Sequence, residues 1–112
     1  MARASRLHRE GYRFESYIAH TRQFKNKMYY VYVLESEKNK DLYKGFTSDV
    51  NVRLKQHNDG LTEATKNHRP WKLIYCEVFL NKYDAINREK YLKGGWGRKF
   101  LKEVLVNYLK NC

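Results

Sequence analysis

The stretch LYKGFTSDVNVRLKQHN, residues 42–58, gathers Tyr43, Gly45, Arg53 and His57 into one short run. Residues four apart on a helix share a face, so Arg53 and His57 point the same way, beside a core-facing stripe of Val50 and Leu54. Taken alone, that pair reads as a solvated helix face. Further on, Ala85, Glu89 and Leu92 fall at steps of four and three, which sets a carboxylate at the edge of a buried stripe. A charge in that place needs a partner. The partner is either a cation, from Arg88, Lys93 or Arg53, or a metal ion. Tyr30 and Tyr32 alternate on one face of an aromatic run, and a tyrosine there reads by itself as core. Lys44 and Lys55 read as facing either phosphate or solvent.

Local patterning supplies the elements that must carry these residues. YYVYVLES, 29–36, is aromatic and β-branched throughout and predicts a buried strand. EKNKD is a polar turn, and LYKGF, 42–46, is a short second strand, so the two form a hairpin. Thr47, Ser48 and Asp49 are helix-start residues. VNVRLKQHN then predicts a helix that ends at Asp59-Gly60. LTEATKNHRP, 61–70, is a polar loop, and WKLIYCEVFL, 71–80, a third strand. Asn81 caps a helix over KYDAINREKYLK that stops at Gly94-Gly95. After an exposed loop, GGWGR, a last amphipathic helix is predicted over 99–110, with Phe100, Leu101, Val104, Leu105, Tyr108 and Leu109 on its core side. The expected fold is α/β, a small three-stranded sheet flanked by helices and preceded by an N-terminal extension.

That extension, residues 1–27, carries seven basic and two acidic residues and has no coherent apolar face. It reads as a basic arm or, preferred here, as sequence upstream of a true start at Met28. The patterned domain is 28–112. With 112 residues the chain has room for one core. Cys76 and Cys112 have no metal-ligand spacing, which argues against a zinc site and fits a reducing, cytoplasmic setting. No apolar run approaches the roughly 20 residues of a membrane-spanning helix, and nothing reads as a secretory signal.

Charge points to the partner. The formal net charge is +11, of which +5 lies in residues 1–27 and +6 in the rest. Such a surplus suits a polyanion, most often nucleic acid. Ten tyrosines and two tryptophans are interleaved with the cations, and aromatic faces beside cations suit bases and phosphates. A charge that serves only solubility ranks second, and an anionic membrane surface third. Binding through phosphates would be steeply salt-dependent and weakly sequence-dependent.

In order, YVYVL, YKGFT, RLKQH and AINREKYLK resemble the GIY-YIG nuclease family, most closely its small single-domain members, similar to the N-terminal domain of excinuclease C. Tyr30-Val31-Tyr32 matches the first triplet and Tyr43-Lys44-Gly45 the second. Arg53 matches the family's arginine, His57 the position one turn later, and Glu89 the metal-binding glutamate. The match covers about residues 28–110. Tyr30 replaces a glycine and Lys44 an isoleucine, neither of which carries chemistry in the family. The asparagine that some members carry after the glutamate has no match.

The resemblance implies phosphodiester hydrolysis in nucleic acid, with DNA expected, in repair or processing. Glu89 would hold one Mg²⁺ or Mn²⁺, and Arg53 would pair with the phosphate. Tyr32 and Tyr43 would position or deprotonate the attacking water, given nearby positive charge to lower a phenol. His57 would orient a tyrosine or relay a proton. Gly45 would let the chain pass close to the phosphate, with Lys44 and Lys55 on the nucleic acid. All five matched residues are expected to converge on one concave surface, Glu89 from across the sheet. Two other readings stand beside this one: a nucleic-acid-binding module that has lost catalysis, and a protein-docking module using Trp96.

Overall fold

The computed structural model describes residues 27–110; the extension proposed for 1–27 lies outside them but for Lys27. The elements run β1 (Tyr29–Ser36), β2 (Leu42–Thr47), α1 (Val50–Asn58), a 3₁₀ turn (Lys66–His68), β3 (Trp71–Phe79), α2 (Lys82–Lys93), α3 (Gly95–Val104) and α4 (Val106–Lys110). The three strands form an antiparallel sheet in the order β2-β1-β3, with β1 central. This is the three-stranded α/β architecture expected from the sequence. No helix among the described residues is long and apolar enough to cross a membrane.

Alternation along β1 divides the core into two layers. Val31 and Val33 point to one face, where they pack with Ala85 and Leu92 of α2 and Leu101 of α3. Tyr30, Tyr32 and Leu34 point to the other, against Val50 and Leu54 of α1 and Trp71 of β3. The register sets Tyr43 opposite Leu34 and Gly45 opposite Tyr32, so both belong to the α1 face, while Lys44, opposite Val33, belongs to the α2–α3 face.

The helix ends follow local chemistry. The Asp49 side chain accepts from the Val52 amide at the start of α1, and Asn81 accepts from the Tyr83 and Asp84 amides at the start of α2. The C-terminal helix differs from its expected form. GGWGR is not a loop: α3 begins at Gly95, Trp96 lies in its first turn, 72% exposed, and the helix breaks at Leu105 before the short α4. The cause is helix-to-helix packing. A Cβ on Gly97 would fall 2.3 Å from the Leu92 Cα and from the Tyr91 carbonyl oxygen, so a glycine inside the helix lets α3 seat on the end of α2. Val104, expected in the core, is exposed at the last residue of α3.

Candidate active site

Four of the five matched residues meet on the α1 face. α1 lies with Val50 and Leu54 against the sheet, which turns Arg53 and His57 toward the ring of Tyr32. The Tyr32 hydroxyl lies 2.9 Å from His57 Nε2, and Arg53 Nε donates to the same hydroxyl at 3.4 Å. The His57 ring meets Tyr43 edge-on with centroids 4.9 Å apart, and Tyr32 and Tyr43 are 6.4 Å apart. Trp71 closes the cluster with its ring 6.3 Å from Tyr43. Gln56 holds Arg53 through a 2.9 Å bond from Nη1.

Burial separates these residues. His57 is 0% exposed and Tyr32 2%, whereas Tyr43 and Arg53 are half-buried. The solvated-face reading of Arg53 and His57 therefore fails for His57, which is wholly interior. Gly45 has a packing role that the sequence expectation did not include. A Cβ there would lie 2.3 Å from Tyr32 Oη and 2.4 Å from its Cζ, so the space left by glycine is filled by the Tyr32 ring.

Glu89 arrives from the other side of the sheet. Its partner among the described residues is Lys93, an ion pair at 3.0 Å, and its side chain is 21% exposed. It is nonetheless close enough to the α1-face cluster that its negative charge helps raise the Tyr32 phenol. Arg88, another candidate partner for Glu89, instead forks onto Glu77 at 2.8 and 3.0 Å. Lys44 lies on the Glu89 side. Burial, and then the charges of Arg98 and Lys93, push its ammonium below the usual lysine range. Lys55 stands apart, exposed and paired with Asp59 at 2.8 Å.

The proton affinities depart from expectation too. Positive charge does not lower the Tyr32 phenol, because burial outweighs Arg53, and Tyr32 is pushed up to about 12. Burial and then the Arg53 guanidinium push His57 down to about 4. At neutral pH the pair is thus a neutral phenol and a neutral imidazole. The ordinary histidine value is 6.5. Between that and about 4, the unfolded chain binds a proton that the folded chain refuses, so stability rises with pH in this window and falls on acidification. The loss attributable to His57 is at most about 3 kcal/mol, reached near pH 4. Glu77, whose carboxyl is held below the usual range despite burial by its bonds from Arg88 and Tyr75, adds a loss of the same sign only at more acid pH. Thermal melts between pH 6.5 and 5 should therefore show a falling midpoint that flattens in His57→Gln. A wild-type midpoint constant over that range would refute the buried neutral imidazole.

As a metal site, the donor set is sparse. Among the described residues there is no group of three or more His, Cys, Asp or Glu side chains. One hard carboxylate, Glu89, fits Mg²⁺, an ion that keeps several waters and takes one or two carboxylates from protein.

Sequence reasoning missed Thr65, Trp71 and Gln56. Gln56 had a signal, being three residues after Arg53 on one helix. Thr65 had none, since it lies in a polar loop without periodicity.

A family model described as the GIY-YIG catalytic domain matches residues 28–100. Curated relatives carry the label UPF0213. One from Clostridium perfringens is 43% identical over 67 residues, covering 59% of this chain and 71% of the relative. One from Limosilactobacillus reuteri is 39% identical over 92 residues, covering 76% and 94%. YazA of Bacillus subtilis is 36% identical over 84 residues, covering 74% and 82%. The solution NMR structure of the UPF0213 protein BH0048 from Bacillus halodurans aligns with a TM-score of 0.44 at 29% identity, over 69% of this chain and 84% of that one.

Proposed function

Because the chain belongs to the GIY-YIG catalytic-domain family, we propose that it is a divalent-metal-dependent endonuclease that hydrolyses phosphodiester bonds in DNA. The observation that carries this reading is the Tyr32 hydroxyl, bonded to His57 Nε2 with Arg53 on the same oxygen. Hydrolysis needs an activated water, neutralised phosphate charge and help for the leaving 3′ oxygen.

A phenol held near 12 is not a standing base. In this reading the attacking water gives its proton to Tyr32 Oη as Tyr32 passes its own to His57 Nε2, so a free phenolate never forms. The water oxygen bonds to phosphorus and the bond to the 3′ oxygen breaks, its electron pair leaving with that oxygen, which takes a proton from solvent water, while the proton gained by His57 Nε2 returns through Tyr32 Oη to solvent. The half-buried Arg53 fork pairs with two phosphate oxygens, and Tyr43 orients the water. Glu89 is the ligand for Mg²⁺ or Mn²⁺, with Lys93 yielding its ion pair. Bound there, the ion supplies Lewis-acid neutralisation of phosphate charge. Lys44 and Arg98 donate to neighbouring phosphates on that side.

The test is cleavage of a panel of labelled single-stranded, duplex and branched DNA and RNA, with and without Mg²⁺ or Mn²⁺. Cutting of DNA that requires the ion is expected. Binding without cutting, indifferent to divalent ions, would make the chain a binding module on this fold.

A further inference from the structure

Among the described residues, Thr65 is the one buried side chain outside the five matched residues that hydrogen-bonds His57. It is 0% exposed, and its Oγ1 lies 2.8 Å from His57 Nδ1. The ring's proton can be located from the donors around Tyr32. Arg53 Nε–H can only donate, and it donates to Tyr32 Oη. The phenol proton of Tyr32 then needs an acceptor, and His57 Nε2 is the acceptor within reach. A proton on Nε2 would aim two N–H donors at one buried oxygen and leave the phenol proton without a partner among the described residues, a costly arrangement. So Nε2 carries the lone pair and Nδ1 the proton. Nδ1–H donates to Thr65 Oγ1, and the Thr65 hydroxyl proton is left for the Thr62 carbonyl, 3.4 Å away. All the bonds run in one direction, from Tyr32 through His57 to Thr65.

Thr65 is itself fixed from the end of α1. Trp71 Nε1 donates to the Thr65 carbonyl at 2.8 Å. The backbone of Trp71 is clamped by Asn58, which accepts from its amide at 2.7 Å and donates to its carbonyl at 3.0 Å. Asn58 follows His57 directly. The loop 61–70 is therefore tied back to the helix turn that presents the imidazole.

We propose that Thr65 is a positioning residue: by accepting Nδ1–H it fixes the His57 tautomer whose Nε2 receives the Tyr32 proton. The consequence for rate rests on the nuclease reading above, but the tautomer does not. As Nε2 gains its proton, the ring becomes an imidazolium whose Nδ1–H bond to Thr65 strengthens, which favours the transfer.

The test pairs a spectrum with kinetics on the full chain. Long-range ¹H–¹⁵N NMR of the imidazoles, with His57 identified through His57→Gln, should show Nδ1 protonated and Nε2 bare. Thr65→Val keeps the volume and removes the hydroxyl. It should shift His57 toward the Nε2–H form and lower kcat by about ten- to a hundredfold, with KM little changed, as for other orienting partners of histidine. Thr65→Ser should restore both. An Nε2-protonated His57 in the wild type, or a Thr65→Val protein that cuts at the wild-type rate, overturns the proposal. If Thr65→Val does not fold, the wild-type and Thr65→Ser spectra decide. A chain that cuts no nucleic acid while its tautomer follows Thr65 refutes the nuclease reading and leaves the positioning role standing.

Discussion

Glu89→Ala is expected to lower cleavage by about 10²–10³-fold, the loss typical when a group that stabilises transition-state charge is removed. Fold and binding should survive. The core contacts of α2 come from Ala85 and Leu92, and the Glu89–Lys93 pair spans one turn of a half-exposed helix face. Pairs of that kind contribute about 0–1 kcal/mol, so the melting temperature should move little. Removing an acid from a basic surface should leave nucleic-acid affinity the same or slightly higher. Single-turnover cleavage in Mg²⁺, with binding measured in parallel in EDTA, separates the two effects. A Glu89→Ala protein that cuts like the wild type would remove Glu89 from the chemistry. Wild-type cutting undiminished in EDTA would remove the metal.

Gly45→Ala should be nearly as damaging, by a different route. The added methyl would fall 2.3 Å from Tyr32 Oη, far inside contact distance. A flexible exposed side chain would swing away at little cost. Tyr32 is buried and tied to His57 and Arg53, so it can move only by breaking those bonds. Overpacking of this kind costs about 1–3 kcal/mol. The displaced hydroxyl should also lose its place on Nε2, so cleavage should fall by about 10²-fold or more, as for loss of a general acid–base group. Thermal unfolding and cleavage rate together check this. A Gly45→Ala protein with unchanged stability and rate would show that the Tyr32–Gly45 packing is immaterial to the site.

Much of the fold is legible in consecutive residues. The aromatic and β-branched run of β1, the Asp49 cap and Asp59-Gly60 stop around α1, and the Asn81 cap and Gly94 stop around α2 are all local chemistry, and the observed bounds follow it. Where local rules misread the chain, the deciding contact is distant along the helix pair. Gly95 and Gly97 look like a loop in sequence. In the structure both lie in α3, and at Gly97 the backbone of Leu92 and Tyr91 leaves no room for a side chain, so the glycine serves the packing of α3 on α2 and not a loop.

The candidate site divides the same way. Spacing alone sets Arg53 and His57 on one helix face and Glu89 at the edge of a buried stripe; it is the order of the motifs, through their resemblance to the GIY-YIG family, that nominates Tyr32, Tyr43, Arg53, His57 and Glu89 together. Whether a face is wet or dry, and which way a proton points, depends on what packs over it. His57 is interior because the Tyr32 and Tyr43 rings and the loop 61–70 close around it. Tyr32 is a weaker acid than a free tyrosine because desolvation exceeds the pull of Arg53. Thr65, from a loop without pattern, meets His57 only after Trp71 and Asn58 draw that loop onto the end of α1. Residue type and spacing are properties of the chain alone, whereas desolvation and hydrogen-bond direction are properties of the neighbours that folding supplies.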